Sequence, residues 1–335
     1  MADPRTAAGH PTGGQNPEKY GPDRLRVRVE GRELALTRLG KALWPEEGYT
    51  KADLVAYFQK IAPWLLPHLR GRPLTLTRYP DGIRGPSFYQ KNLPAYAPGW
   101  IRTHLHRTRR GQTVRFILAE DLPTLVWLAN QAAIELHTWL STIEHPDRPD
   151  QAVVDLDPAP PAGFEEAREA ALLVRRLLDH LGLRGYPKLS GATGIHIHLP
   201  LAPRYSHRQV VQAVQALGRL LQRTVPHLVT LERAVARRAG KVYFDYLQNT
   251  PGKTMIAPYS PRALPGAPVA TPVTWEEVET AHPRDFTLET IPARLRRWEE
   301  KAKKDPFSGL LAEGQELPPV MEKLGLELGA SSPSR

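Results

Sequence analysis

The stretch from Gln151 to Leu199 constrains the fold most. QAVVDLDP opens it as an apolar strand, Gln151 to Asp157, that ends in two aspartates one residue apart and then meets Pro158. A long amphipathic helix follows from about Phe164 to Leu181, and GIHIHL, Gly194 to Leu199, supplies a second strand. Elsewhere the pattern is different. RVRVEGRELALT, Arg26 to Thr37, alternates apolar and polar residues around Glu30-Gly31 and predicts a hairpin. Thr50 is placed to cap a helix from Lys51 toward His68, with Leu54, Val55, Phe58, Ile61 and Leu65 on one face and a kink or split at Pro63. Strands are predicted over Pro73 to Tyr79, Thr113 to Leu118, Lys241 to Tyr246 and Lys253 to Ala257. Helices are predicted over Leu122 to Ala133 and Ser206 to Thr224, and most of the chain beyond Thr271 reads as helical. Hairpins mixed with strand–helix–strand units predict an α+β, or mixed α/β, fold. With no linker between Asp23 and Ser308, the expectation is one compact unit of two packed lobes over 23–305. A disordered tail, 1–22, precedes it, and a partly disordered C-terminal extension, 306–335, follows.

Among the 335 residues there is no cysteine. Disulfides, cysteine-held zinc, iron–sulfur clusters and thiol nucleophiles are therefore excluded, and any metal must be held by Asp, Glu or His. No apolar run reaches the length of a membrane span, and the N-terminus has no apolar signal core, so neither membrane insertion nor export is expected. The net charge is +10 and the pI near 9.8. That balance suits a nucleic-acid binder, because Lys and Arg displace counterions from phosphates; it equally suits an Arg- and Pro-rich composition with no such role.

Three stretches carry candidate chemistry. Residues two apart on a strand share a face, so Asp155 and Asp157 project together while Val154 and Leu156 point the other way. Asp245, in KVYFDYLQNT, ends another β-rich run. Three carboxylates on neighbouring strand ends can hold two divalent cations about 3.5–4 Å apart for in-line nucleotidyl transfer, and oxygen ligands favour Mg²⁺ or Mn²⁺. The plainer alternative is that the two aspartates cap the following helix or bind backbone at a turn. In KLSGATGIHIHLPL, His196 and His198 share a face behind a loop of Ser190, Gly191 and Gly194 that could bring backbone N–H groups to phosphates. The alternative there is a pair of solvent-facing histidines after an ordinary turn. In the third stretch, Arg238, Lys241, Gln248, Asn249, Lys253 and Arg262 surround Asp245 with the cations and amides a triphosphate needs; the alternative is a solvated basic face.

DLDP, then SGxxGxH, then a strand Asp followed by QN and APYS–R, taken in this order, resemble the polymerase domain of bacterial ligase D, within the archaeo-eukaryotic primase superfamily. The similarity runs from about Leu36 to Glu300 and takes in GKALWPEEGYTKADL, GRPLTLTRYPDG, FYQKN, IELHTW and QNTPGKTMIAPYSPR. The resemblance implies a two-lobed primase-polymerase fold with a central mixed and antiparallel β-sheet core flanked by helices. It implies that Asp155, Asp157 and Asp245 are the catalytic, metal-binding residues. Ser190 and His196 match the nucleotide-phosphate motif, His137 lies near the incoming nucleotide, and Gln248 and Arg262 line its pocket. Lys41 and Lys51 match lysines that hold a 5′-phosphate across a gap or break. Phe88 or Tyr89 matches an aromatic residue near the templating base, and Arg238 a basic residue near the primer–template. Thr77 and Thr193 stand where the family often has a basic residue; Arg78, beside Thr77, is the cation at hand to compensate. Lys51 also opens a helix, whose N-terminus presents N–H groups and a positive dipole end to an anion.

The resemblance further implies a template-dependent nucleotidyltransferase that fills gaps and extends DNA ends in break repair by non-homologous end joining. It would favour ribonucleotides among NTP and dNTP substrates and use two Mn²⁺ or Mg²⁺ ions. Implied partners are double-stranded DNA ends and gapped DNA with a 5′-phosphate, with Ku and a separate ATP-dependent DNA ligase, in the cytoplasm at the nucleoid. No ligase or phosphoesterase sequence accompanies these motifs, so a stand-alone form is expected. A primase starting chains de novo is the main alternative; a metal-dependent nuclease and a non-catalytic end-binding module are the others.

Overall fold

The alternation around Glu30-Gly31 becomes a hairpin of β1 (Arg24–Val29) and β2 (Arg32–Thr37), turned by positive φ at both Glu30 and Gly31. The computed structural model describes residues 24–108, 111–317 and 322–323, so the expected tail over 1–22 and the last residues of the chain lie outside the described part. A short ribbon, β3 (Ala42–Trp44) with β4 (Tyr49–Thr50), leads into α1 (Lys51–Leu69). Thr50 and Asp53 form a reciprocal capping box at its start. Pro63 and Pro67 both sit inside α1, which nonetheless runs unbroken. Its fully buried face, Leu54, Phe58, Ile61 and Leu65, holds the helix together where a proline removes a backbone bond, so the expected split does not occur.

The chain continues through β5 (Leu74–Arg78), β6 (Phe88–Gln90), β7 (Thr103–Arg107), β8 (Thr113–Ile117), α2 (Leu122–Asn130) and β9 (Ala133–Thr138). Then come β10 (Gln151–Pro158), α3 (Phe164–Leu181), β11 (Tyr186–Leu189), β12 (Ile195–Pro200) and α4 (His207–Thr224). The last elements are β13 (Val229–Thr230), β14 (Val242–Asp245), β15 (Met255–Ile256), β16 (Thr271–Pro272), α5 (Trp275–Thr280), α6 (Thr290–Glu300) and α7 (Ser308–Ala312). The helix expected through Ala133 stops at Asn130, Ala132 turns the chain at positive φ, and β9 begins at Ala133 and takes in most of IELHTW.

Two six-stranded sheets form the two lobes. One has the order β13-β14-β10-β12-β11-β16, antiparallel except for β13 with β14. The other has the order β15-β9-β5-β8-β7, with β6 added to β5, and is antiparallel throughout. Helices α3 and α4 cover one face of the first sheet, over Val154, Leu156, Ile195, Ile197 and Phe244, none of which reaches solvent. Gly218 allows this approach: a Cβ there would stand 2.7 Å from the Phe244 ring. The opposite face of that sheet carries the polar residues of β10, β12 and β14. The fold is the mixed α/β arrangement expected, with antiparallel pairing dominant.

The boundary expected at 305 falls inside a packed cluster. Phe307 is fully buried, with its ring 5.9 Å from His68 and 5.3 Å from His198, and Gln315 bridges to Leu201. Residues up to Leu317 thus belong to the body of the fold. Among the described residues no helix is long and apolar enough to cross a membrane.

Candidate active site

Strand β10 is central, and its register assembles the site. Asp155 is the direct Cα partner of Asp245 on β14 and of His196 on β12; His196 in turn is opposite Lys188 on β11. Directly opposed residues share a face, so Asp245, Asp155, His196 and Lys188 form one row across four strands. Asp157 joins this face one step along, opposite Tyr243. The capping alternative fails, because α3 is capped at Gly163, beyond both aspartates.

Each carboxylate has a distinct environment. His196 Nε2 lies 3.5 Å from Asp155 Oδ1, and the Gln248 amide is near enough to Asp155 to favour its charged form. Burial, then the charges of Asp245 and Asp157, push the Asp155 carboxyl well above the usual range; Lys188 and Gln248 oppose the shift. Asp157 is raised by burial against the pull of Arg238. Asp245 Oδ1 accepts from the Leu247 N–H at 2.9 Å and from the Tyr243 hydroxyl at 3.2 Å. Among the described residues, no three Asp, Glu or His side chains close round one point at ligand distance. The donor set still fits divalent cations: three carboxylates on one face carry an excess of like charge, and hard oxygen donors match a hard ion.

Both histidines of GIHIHL are buried, which overturns the solvent-facing alternative. His196 Nδ1 is buried without a hydrogen-bond partner, and burial together with Lys188 holds the ring well below its ordinary pKa, so it is neutral. His198 Nδ1 is 3.2 Å from Gln151 Oε1, and its ring packs on Phe307; it belongs to the core.

The loop before β12 is braced by Ser190, whose Oγ accepts from the N–H groups of Ala192 at 3.2 Å and Gly194 at 3.1 Å. Gly191 has φ +74°, and a Cβ there would stand 3.0 Å from the Ala270 nitrogen, so both conformation and space call for glycine. Arg262 ties this loop to the second sheet: its Nε donates to Glu135 Oε1 at 3.0 Å and its Nη1 to the Ser190 carbonyl at 3.2 Å. Glu135 Oε2 lies 3.2 Å from His137 Nε2, and His137 is 3.4 Å from the Thr77 hydroxyl. Burial alone would raise the Glu135 carboxyl, but His137 and Arg262 outweigh it and hold it at about 2. Glu135→Ala removes a buried carboxylate and strips the half-buried Arg262 and His137 of their shared partner. The expected result is a loss of about 3 kcal/mol of stability, read by denaturant unfolding, whereas Glu135→Gln retains part of it. Of the remaining nucleotide-side residues, Gln248 is at the carboxylates and Lys253 is exposed.

The cations assigned to a 5′-phosphate are brought together, in a form different from the expected one. Lys51 is buried at 6% exposure, and its Nζ donates to the Thr37 carbonyl at 2.6 Å; Lys41 Nζ lies 2.5 Å from Asp81. Burial, then Lys41, Arg38 and Arg78, lower Lys51 to about 8. The first N–H groups of α1 are not free for an anion: those of Lys51 and Ala52 donate to the carbonyls of Lys41 and Leu39, and that of Asp53 to Thr50 Oγ1. The first turn of α1 thus offers an anion no free backbone donors, and the charge of this corner resides in its side chains. Arg78 donates to the Gln131 carbonyl and to Gln90, and stands 5.1 Å over the ring of Phe88. Phe88 and Tyr89 are exposed on β6, at 45% and 74%. Arg238 is stacked 3.5 Å over the Tyr243 ring, held by the carbonyls of Glu232 and Arg233.

Two residues of this region, Lys188 and Glu135, escaped selection from the sequence. Lys188 is fully buried, and its Nζ donates to the Ile256 carbonyl; burial, then Arg262, lower its pKa and Asp155 opposes. Its register opposite His196 is the missing signal, and it is a tertiary one. Glu135 was within reach, since it stands two residues before His137 on the same strand face. Asn249, expected among the amides a triphosphate needs, is instead fully buried and pairs both ways with the Val153 backbone, at 2.8 Å each, extending β10 where β14 ends.

The family model of the LigD primase-polymerase domain matches residues 50–302. The bifunctional non-homologous end joining protein LigD of Bacillus subtilis is 38% identical over 267 residues, covering 79% of this chain and 43% of that protein. The multifunctional LigD of Mycolicibacterium smegmatis is 34% identical over 293 residues, covering 87% of this chain and 37% of that protein. The chain thus spans about two fifths of the length of these relatives. The polymerase domain of Mycobacterium tuberculosis ligase D, solved in complex with DNA, superposes with a TM-score of 0.77 at 32% identity, over 84% of this chain and 99% of that one. By sequence and by fold the chain belongs to the LigD primase-polymerase domain family, a family of nucleotidyltransferases.

Proposed function

We propose that this chain is a template-dependent polymerase that fills gaps and extends ends at DNA double-strand breaks during non-homologous end joining, with ribonucleotides preferred. The observation that carries the reading is the row of β10: Asp155 paired in register with Asp245, with Asp157 on the same face, in a chain of this family. The primer 3′-hydroxyl attacks the α-phosphate of an NTP or dNTP, and pyrophosphate leaves. Asp155, Asp157 and Asp245 would hold two Mg²⁺ or Mn²⁺ ions, which when bound activate the hydroxyl and neutralise charge on the triphosphate. The residues around them orient and neutralise. Arg262, fixed by Glu135 and the Ser190 carbonyl, offers a guanidinium to the triphosphate beside the Ser190 loop. Neutral His196 can donate a hydrogen bond without adding repulsion to the Lys188–Arg262 pair behind it. Arg238 on Tyr243 places a charge next to Asp157 where the primer strand approaches. Lys41 and Lys51 hold the downstream 5′-phosphate, and Phe88 or Tyr89 stacks near the templating base. DNA ends and phosphorylated gaps are the substrates on this reading, with Ku and a separate ATP-dependent ligase as protein partners.

Side-by-side single-nucleotide insertion on a gapped duplex tests the substrate choice. Each ribonucleotide is expected to enter at least as efficiently as its deoxyribonucleotide. A strong deoxyribonucleotide preference contradicts it.

A further inference from the structure

The hairpin of β1 and β2 carries a charge pattern that the site does not use. Arg24, Arg26 and Arg28 alternate along β1 and are all exposed. The intervening face is apolar, and from β2 it buries Leu34 and Leu36. The hairpin is fixed rather than loose. Asn130 of α2 accepts from the Thr37 N–H at 2.9 Å and donates to the Ala35 carbonyl at 3.0 Å. Arg28 is paired with Glu33 at 2.9 Å, whereas among the described residues Arg24 and Arg26 have no carboxylate partner. A groove of about 500 Å³ is lined by these three arginines and Glu33.

Where the hairpin begins gives the arginines a direction. Thr37 is the register partner of Arg24, and the Thr37 carbonyl accepts from Lys51 Nζ at 2.6 Å. The base of the hairpin is therefore at the Lys41–Lys51 corner, and Arg26 and Arg28 step away from it. Spaced two residues apart on a strand, the three guanidinium groups cover about 13 Å, close to the rise of four phosphates along one DNA strand. A strand whose 5′-phosphate sits against Lys41 and Lys51 must leave that corner as downstream duplex.

We infer that the arginine face of the hairpin grips the phosphate backbone of the duplex downstream of the gap, extending the 5′-phosphate site into a longer clamp. The inference rests on the gap-filling reading. Contacts of this kind carry no sequence information and raise affinity through counterion release.

The test uses the full chain and gapped duplexes that differ only in the downstream arm, a few base pairs against more than a helical turn. Binding is read by fluorescence anisotropy as a function of salt. Arg24→Gln/Arg26→Gln/Arg28→Gln is expected to weaken binding of the long-arm gap about tenfold and to lower its salt slope by about 2, with little change on the short-arm gap. Glu33→Gln, which frees Arg28, is expected to tighten long-arm binding. Unchanged long-arm affinity and slope in the triple variant overturn the inference, as does an equal loss on both arms. A melting temperature matching wild type keeps misfolding apart from lost contacts. The gap-filling reading fails separately, if wild type does not distinguish a 5′-phosphate from a 5′-hydroxyl at the gap.

Discussion

Asp155→Ala and Asp157→Ala each abolish primer extension, by at least about a thousandfold, while gapped DNA still binds within about twofold of wild type. The two effects separate because they have different sources. Affinity for DNA comes mainly from cations on phosphates, and neither aspartate contributes one. Turnover needs the carboxylates of one sheet face, and Asp155 is the member that touches the others through register, with Asp245 on one side and His196 on the other. Loss of Asp155 should also leave the fold intact or slightly firmer, because burial and two neighbouring carboxylates already disfavour its charge. Asp155→Asn, nearly the same shape, checks that lost activity is lost charge. Extension on a labelled primer, anisotropy with the same duplex and a thermal melt give the three readings. Appreciable extension by either alanine variant removes the carboxylate assignment.

A gap with a downstream 5′-phosphate binds about tenfold more tightly than one with a 5′-hydroxyl, and fills faster. Lys41→Ala with Lys51→Ala erases the difference and spares extension of a simple recessed end. A terminal phosphate carries about −2, with a second pKa near 6, and so exceeds any internal diester in charge. The corner that would receive it holds Lys51 against the repulsion of Lys41, Arg38 and Arg78, and a dianion relieves that repulsion. The sign of the pH dependence follows. In the free protein Lys51 keeps its proton below about 8 and the phosphate is a dianion above about 6, so the preference is fullest between these limits and fades as pH rises beyond about 8 or falls below about 6. Lys51→Gln provides a variant that keeps a donor toward Thr37, and an unchanged melt shows that the helix start survives.

Much of the fold was legible because its signals are local. The capping box at Thr50 and Asp53, the alternation of β1 and β2, and the apolar stripes of α3 and α4 are each contained in a short window. The D-x-D face needed only the period of a strand. What local pattern does not contain is register. Nothing near Lys188 says that it will stand opposite His196, or that Asp245, ninety residues from Asp155, will be its direct partner rather than a neighbour further along the sheet. Burial misled in the same way: the solvent-facing alternative for His198 and the tail expected at Phe307 both give way to a core assembled from elements distant in sequence. Lys51 also shows an expectation reversed in its physics. The helix end attracts no anion through free N–H groups, because preceding backbone and its own cap occupy them.

The most direct measurement follows a labelled primer on a gapped duplex with a downstream 5′-phosphate, Mn²⁺ or Mg²⁺, and each nucleotide supplied singly. The expected product is the primer lengthened by the nucleotide complementary to the template, from ribonucleotides at least as well as deoxyribonucleotides, and lost in Asp155→Ala. A shortened primer, or no dependence on the templating base, would contradict the polymerase account.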